Sequence, residues 1–304
     1  MIKTLDDVIH NVVYNDDIQS LLKNPDLTHQ YNEIVQFQID ECKKNGTSID
    51  REGFQIGEPY DGDIEHAPIL FLSSNPGFDF DEVSPRYAPN NDTIFDPSDG
   101  HTMSFSEIKK FFESRIVGNN LCIPLKNATT KSVSYWKEIT NKTQQLLPSI
   151  NAQPPAQIMQ YAVCMEIVPF RSRMAAGVTS NLLNKCWDDF TQHLLAHSAA
   201  EVIVIVGVTA LETFCGKKFG NRTQQATALR TLRTHNTIIA EFGNKPRNIF
   251  WAERKPFPQI GELKDWDDGY FANAAPNTLA LLQAAVASSP LVRKAIANGG
   301  ILQN

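Results

Sequence analysis

Four short apolar runs along the chain have the length and composition of buried strands. The most hydrophobic of them surrounds Ile203, and an unbroken apolar run of this kind is typical of a strand covered on both faces. Stretches with helical periodicity separate the runs, and this alternation favours a mainly parallel sheet. The predicted strands are Ile69–Leu72, Tyr161–Val168, Glu201–Val206 and Asn248–Ala252.

The segments between these runs repeat apolar residues at intervals of three and four, which predicts amphipathic helices. Asn24-Pro25-Asp26 is expected to split the first helical stretch, because proline cannot continue a helix. The polar segment Asp79–Gly100 contains four prolines or glycines and is predicted to be a loop. The predicted helices are Leu5–Lys44 in two parts, Phe105–Ile116, Val133–Leu147, Ser180–His197, a short helix after Gly207, and Pro276–Ala297 with breaks.

This order of elements predicts a three-layer α/β/α fold with a central, mainly parallel sheet. We expect residues 1–60 to form an N-terminal helical extension, 61–270 the α/β core, and 271–304 C-terminal helices packed on that core. With 304 residues, of which 42% are hydrophobic, the chain can bury one large core.

Composition narrows the class of protein. The five cysteines are scattered without a Cys-x-x-Cys pair, which indicates free thiols in a reducing cytoplasm. The chain has neither an export signal nor a membrane-length apolar run, so we expect no membrane partner. His193 and His197 lie four apart but lack the glutamate of a zinc-protease motif. No dinucleotide or phosphate-loop fingerprint occurs, so we expect no cofactor and no metal.

Charge is unevenly distributed along the chain. The net charge is -6, yet Thr213–Lys255 contains nine lysines or arginines and two glutamates, a local excess of +7. A basic face on an acidic protein can dock a phosphate backbone at one place. A solvated surface without a partner is the alternative.

The segment around Asn75 contains the first candidate for chemistry. The run Ile69–Leu72 ends in Ser73-Ser74 and an Asn-Pro-Gly turn. Open α/β sheets bind ligands at the carboxyl ends of their strands, so Asn75 is expected at a ligand site. An ordinary turn without a functional role is the alternative.

Ser73-Ser74-Asn75-Pro76-Gly77 resembles the Gly-x-Asn-Pro-Gly motif of the uracil-DNA glycosylase superfamily, in its mismatch-specific and single-strand-selective branches. Met165–Phe170 resembles the segment in which an asparagine contacts the flipped base, and Lys255-Pro256-Phe257-Pro258 resembles the family's His-Pro-Ser-Pro loop. Trp187–Phe190, followed by Val202–Thr209, is similar to a helix and core strand of the family. The resemblance covers about Pro68 to Ile260 and depends on the order of the segments.

The resemblance implies a glycosylase-like fold, a DNA partner and a set of site residues. It places Asn75, Lys255 and Glu166 in catalysis, Ser74 and Gly77 beside the base, and Phe105 or Phe78 under the base as a stacking surface. A Phe105 that simply belongs to the core is the alternative. The expected phosphate contacts are Arg171, Arg173, Arg230, Arg233, Arg254 and Lys255.

Glu166 departs from the family pattern, in which an asparagine stands at this position. A neutral carboxylic acid offers one donor and one acceptor, which match the ring nitrogen and the exocyclic amine of cytosine, whereas asparagine suits uracil. A proton from Glu166 would also make cytosine a better leaving group. A salt bridge to Arg171 or Arg173 is the alternative. The sequence departs from the family pattern at two further positions. Ser73 stands where the family has glycine, and Lys255 stands where it has histidine.

These residues predict a monofunctional DNA glycosylase that hydrolyses the N-glycosidic bond of a flipped base, and Glu166 favours a modified cytosine over uracil. The match to anti-phage glycosylases that remove modified cytosines depends on that one residue. A catalytically silent module that binds a base or nucleotide is the second hypothesis. A small-molecule hydrolase or transferase that uses the same cleft is the third.

Overall fold

The computed structural model describes residues 2–89, 92–150, 153–252 and 275–298. A five-stranded sheet lies at its centre, and four of the strands follow the apolar runs closely. These four are β2 (Ile69–Ser73), β7 (Ala162–Glu166), β8 (Val202–Val206) and β10 (Lys245–Ala252), and the fifth is β9 (Ile238–Phe242). The prediction of a mainly parallel central sheet is confirmed, because only β9 runs antiparallel to its neighbour in this sheet.

The strand order is β7-β2-β8-β10-β9. From β2 the chain passes to β7 on one side and then returns to β8 on the other side, so the order reverses at β2. Ser73 and Glu166 are partners in the last register position of β2 and β7, and Ala252 is the partner of Val206 in β10 and β8. The carboxyl ends of all four parallel strands therefore lie at one edge, and ligands bind next to such a reversal in open α/β sheets.

Each face of the sheet has its own hydrophobic cluster, because successive side chains of a strand point to opposite faces. Leu70, Leu72 and Ile203 belong to the first cluster, which they share with the N-terminal helices. Ile69, Phe71 and other residues of alternate register belong to the second cluster. Helices covering both faces are α1 (Leu5–Val13), α2 (Asp16–Lys23), α3 (Asn32–Lys44), α5 (Phe105–Gly118), α6 (Ser134–Leu146), α8 (Ser180–Cys186), α9 (Gln192–His197), α10 (Val208–Lys218) and α11 (Arg222–Arg233).

The N-terminal stretch forms three helices instead of the predicted two. The break at Asn24 is present, but a further break occurs after Val13, where the Asn15 side chain accepts from the backbone amide of Ile18 and caps α2. Asparagine at such a cap satisfies an amide that the helix leaves unpaired. A short helix, α4 (Ile49–Glu52), follows.

The predicted loop Asp79–Gly100 contains two strands, so that prediction is wrong there. β3 (Arg86–Ala88) pairs with β4 (Thr93–Phe95) and with β1 (Phe54–Gln55) in a small antiparallel sheet. A hairpin of β5 (Cys122–Pro124) and β6 (Thr130–Ser132) lies nearby in the chain. Strands of two or three residues are too short to show an alternating pattern, and β1 is distant from β3 in sequence.

The sequence patterns also missed α11 and β9. In α11 only Ala228 and Leu232 are buried, which leaves little apolar periodicity. β9 turns into β10 through Gly243 and Asn244, both with positive φ, as a two-residue hairpin requires. Within the predicted helix Ser180–His197, a π-helical segment at Trp187–Thr191 joins α8 to α9.

Further helices occupy the other connections. They are α7 (Pro155–Ile158), the 3-10 turns Pro148–Ile150, Met159–Tyr161 and Arg173–Ala175, and the C-terminal α12 (Thr278–Ala287) and α13 (Pro290–Ala297). In the described residues no single helix is long and apolar enough to cross a membrane. Helices α12 and α13 together reach that length and composition, but they meet at 77°. Leu282 and Val292 are buried in the second cluster.

Candidate functional site

A cleft of about 410 Å³ opens where β2 and β7 end. Asn75, Gly77 and Phe78 from the turn after β2 line it, as does Glu166 at the end of β7. The hairpin β5–β6 and the start of α6 supply further lining residues. The described lining residues are Glu58, Tyr60, Asp61, Asn75, Pro76, Gly77, Phe78, Asp79, Glu82, Arg115, Ile123, Lys131, Ser132, Val133, Ser134, Tyr135, Trp136, Cys164, Glu166 and Arg171.

Asn75 is held in one orientation in this cleft. Its side-chain nitrogen Nδ2 donates to the carbonyl of Pro76 and to Oγ of Ser172, both at 3.0 Å. The Pro76 carbonyl can only accept, which fixes which end of the amide is the nitrogen. Among the described residues no group donates to Oδ1 of Asn75, so this carbonyl oxygen is available to a ligand or a water molecule.

Glu166 lies beside the turn, because its register partner Ser73 is two residues before Asn75. The Glu166 side chain is partly buried and lines the cleft. The alternative of a salt bridge from Glu166 to Arg171 or Arg173 is not found among the described residues. The acidic partners of Arg171 are Glu58 and Glu82. Asn75 and Glu166 line the same cleft, whereas Lys255, the third residue expected in catalysis, lies outside the described residues.

A buried ion cluster forms the floor of the cleft. We define it as Arg115, Arg171, Glu58, Asp61 and Glu82, each of which is less than a tenth exposed. Arg115 donates to Glu58, to Glu82 and, at 3.2 Å, to Asp61. Arg171 donates to Glu58 and, at 2.9 Å, to Glu82. The cluster therefore contains three carboxyl groups for two guanidinium groups.

This excess of carboxyl groups sets the protonation of the cluster. Burial raises the pKa of Asp61 to about 7, against the lowering effect of Arg115. Burial also disfavours the carboxylate of Glu82, but Arg171 and Arg115 outweigh it and lower the pKa of Glu82. Burial holds the pKa of the Cys164 thiol well above its usual range, which disfavours the thiolate that a cysteine nucleophile needs.

Aromatic side chains are part of the lining of the cleft. Phe78 follows the Asn75 turn and packs edge-on against Phe37. Tyr135 and Trp136 come from the start of α6, and the hydroxyl of Tyr135 is hydrogen-bonded to Ser73. Phe105 is not part of the described lining; it packs on the first hydrophobic cluster with its ring 6.0 Å from that of His10.

The predicted DNA contacts are dispersed. Arg171 is buried in the ion cluster, where it cannot meet a phosphate, so that prediction is wrong for the structure as it stands. Arg173 is exposed. Arg230 and Arg233 are exposed at the end of α11, and Arg233 pairs with Glu212 at 3.0 Å. Arg254 and Lys255 lie outside the described residues, beyond the end of β10.

Of the two remaining residues expected beside the base, Gly77 belongs to the described lining of the cleft and Ser74 does not. Apart from the two neighbours of Gly77 in the chain, no described residue has an atom within 4 Å of where a Cβ on Gly77 would lie. Ser74 is not among the described lining residues, although its carbonyl continues the strand pairing by accepting from Val168.

Sequence patterns missed the acidic and basic groups of the cleft floor. Arg115 could have been found, because it lies on the buried face of α5 with Ile108, Phe112 and Ile116. A charged residue at an apolar position indicates a buried partner. Glu58, Asp61 and Glu82 come from irregular segments whose burial no periodicity shows.

One group of possible metal ligands occurs in the described residues. Asp96, Asp99 and His101 have ligand atoms within 4.8 Å of one another, but they lie on an exposed loop where His101 and Asp99 are paired at 2.7 Å. None of the three lines the cleft. No protein-family model matches this sequence, and the search of curated proteins finds no match either.

Proposed function

We propose that the protein is a monofunctional DNA glycosylase that hydrolyses the N-glycosidic bond of a flipped, modified cytosine. One observation supports this most strongly: Asn75 and Glu166, at the ends of neighbouring strands, line the same cleft, which aromatic side chains also line. The three-layer arrangement and the register are compatible with the resemblance in motif order. The cleft volume of about 410 Å³ is at the scale of a small-molecule site.

In the proposed reaction, Oδ1 of Asn75 accepts a hydrogen bond from a water molecule and directs its oxygen at the sugar carbon C1′. The bond between C1′ and the base nitrogen breaks, and its electron pair leaves with the base. Glu166, protonated, gives its proton to the ring nitrogen of cytosine, while the attacking water loses a proton to solvent. The contribution of Asn75 is positional, because an amide is too weak a base to take the proton.

The described lining of the cleft has five carboxyl groups and three cationic side chains. With Glu166 protonated, as proposed, and the pKa of Asp61 raised to about 7 by burial, about three carboxylates balance three cations. The described lining therefore has no positive excess that would draw a phosphate into the cleft. The DNA backbone would stay outside the cleft and only the base would enter, as in other enzymes that flip a nucleotide.

A lysine Schiff base is not part of the proposal. Lys131 is the lysine of the described lining, and its ammonium group is ion-paired with Asp79 at 2.7 Å. A lysine nucleophile needs a free amino group, and that of Lys131 is engaged in this ion pair. Water is therefore the proposed nucleophile.

The test is abasic-site formation on oligonucleotides that contain a single uracil, cytosine, 5-methylcytosine or 5-hydroxymethylcytosine, in single-stranded and duplex form. Strand cleavage after alkali, but not before it, is the result expected of a monofunctional enzyme acting on a cytosine-type base. Asn75→Ala should abolish it. Binding to DNA without abasic sites would favour the catalytically silent module, and no binding to DNA would favour an enzyme of small molecules.

A further inference from the structure

The two residues Arg171 and Ser172 contact every residue of the Asn-Pro-Gly turn. Ser172 Oγ accepts from Asn75 Nδ2 at 3.0 Å, and the Ser172 backbone amide donates to the Pro76 carbonyl at 3.3 Å. Arg171 Nη1 donates to the Gly77 carbonyl at 3.3 Å. One dipeptide after β7 therefore holds all three positions of the turn after β2.

Both members of this dipeptide are immobilised. Ser172 is 1% exposed and Arg171 is 3% exposed. Arg171 is fixed by Glu58 and Glu82, which Arg115 also binds. Arg171 therefore links the Gly77 carbonyl to the buried ion cluster. Because the cluster holds the guanidinium group of Arg171 in place, the hydrogen bond from this group also holds the Gly77 carbonyl in place.

The consequence concerns the amide plane of Asn75. The last torsion of an asparagine is broad and two-fold, so the backbone alone does not decide which way Oδ1 faces. Two acceptors, the Pro76 carbonyl and Ser172 Oγ, hold Nδ2, and no described residue donates to Oδ1. Of these two acceptors, only Ser172 Oγ belongs to a side chain that can be replaced.

We propose that Ser172 is a positioning residue that orients the amide of Asn75, and that Arg171 supports it by fixing the turn through the Gly77 carbonyl. This inference rests on the proposed function only where it concerns catalysis. Its structural part, the orientation of the Asn75 amide, is independent of any reaction.

The structural part is tested by the side-chain amide signals of Asn75 in ¹⁵N-asparagine-labelled protein, assigned by their loss in Asn75→Asp. Ser172→Ala should move one proton of the pair upfield and speed its exchange with water, because that proton loses its acceptor. Ser172→Thr keeps a hydroxyl and should restore the wild-type signals. Ser198→Ala is the matched control: Ser198 is equally buried, and its Oγ accepts from the Ala200 amide. If Ser172→Ala leaves the amide signals of Asn75 unchanged, the proposal is wrong.

The catalytic part is tested by single-turnover and steady-state excision. The loss of one hydrogen bond predicts that Ser172→Ala lowers kcat by about 5- to 20-fold with little change in KM. Ser172→Thr should recover most of the activity, and Ser198→Ala should keep all of it. Equal losses in Ser172→Ala and Ser198→Ala would indicate a structural role and overturn the positioning role. If the amide signals respond as expected but the wild type forms no abasic sites, the proposed function fails and the orientation of Asn75 stands.

Discussion

Arg115 and Arg171 donate hydrogen bonds to the same carboxylate, that of Glu82. One arginine comes from α5 and the other from the segment that follows β7, so Glu82 ties a covering helix to the end of an edge strand of the central sheet. Glu58 links the same two arginines a second time. Because buried charges are stable only when they are paired, these residues are expected to fold as one unit.

The first prediction is that Arg115→Met strongly destabilises the protein. The substitution leaves Asp61 and Glu58 in the interior with one guanidinium fewer, and breaking a buried pair costs about 3 kcal/mol or more. Arg233→Met is the matched control, since it removes an exposed pair with Glu212 and should cost less than about 1 kcal/mol. Urea unfolding at pH 7 measures both, and similar losses in the two variants would contradict the buried cluster.

The second prediction concerns pH. Burial raises the pKa of Asp61 from 3.8 to about 7, so between these values the folded protein binds a proton that the unfolded chain has released. The contribution of Asp61 to the free energy of unfolding therefore falls as pH rises from about 4 to about 7, and it levels off above that. Asp61→Asn cannot titrate and should lack this slope. The measurement is urea unfolding of the wild type and of Asp61→Asn at pH 5, 6, 7 and 8. If the free energies of unfolding of the two proteins change in parallel with pH, Asp61 is ionised throughout and the prediction is wrong.

The third prediction is that Glu166 sets base identity. Glu166→Asn should weaken excision of cytosine-type bases and admit uracil, because the shorter amide places its donor and acceptor differently and has no acidic proton to give to the ring nitrogen of cytosine. A site that leaves a buried polar group unpaired discriminates strongly, so the ratio of kcat/KM values should change at least about 10-fold. Competition between two labelled oligonucleotides measures this ratio directly.

Glu166→Gln is the control for proton donation. It keeps the size of the side chain and supplies one donor and one acceptor, but it has no acidic proton. Binding of a modified cytosine without release would support the donor role. If Glu166→Asn and Glu166→Gln both keep the wild-type selectivity and lose thermal stability, the cytosine hypothesis is to be abandoned.

The fourth prediction concerns the basic segment. α11 ends at Arg233 shortly before β9, whose first residue Ile238 pairs with Ile249 in the carboxyl-terminal half of β10. Arg230 and Arg233 are therefore placed toward the carboxyl edge, the edge on which the cleft opens. Charge reversal of both to Glu should weaken DNA binding regardless of base identity, most strongly at low salt. Equal affinities of the two proteins across a salt titration would remove this surface from the proposal.

Local patterns predicted those parts of the fold that depend on neighbouring residues. The strands β2, β7 and β8 were found within a few residues, because each is a continuous apolar run. The predicted start of α5 at Phe105 is correct, and in the structure Ser104 and Glu107 form a capping box at this end of the helix. The edge strand β9 was missed although a two-residue hairpin joins it to β10, and the three-residue strands were missed because they are too short to show an alternating pattern.

The sequence alone determined that Asn75 follows a buried strand in a proline-glycine turn, and that Glu166 ends another strand. Both are consequences of local hydrophobicity and backbone restriction. Only the tertiary structure decided the environment of Arg171. The sequence predicts a contact between Arg171 and DNA, whereas in the fold Arg171 is buried and paired with Glu58 and Glu82. The physical reason is that a charge pairs with whatever the folded chain brings within a few ångströms of it. Glu58, Glu82 and Arg115 are separated from Arg171 by more than fifty residues of sequence, and no local pattern encodes their meeting.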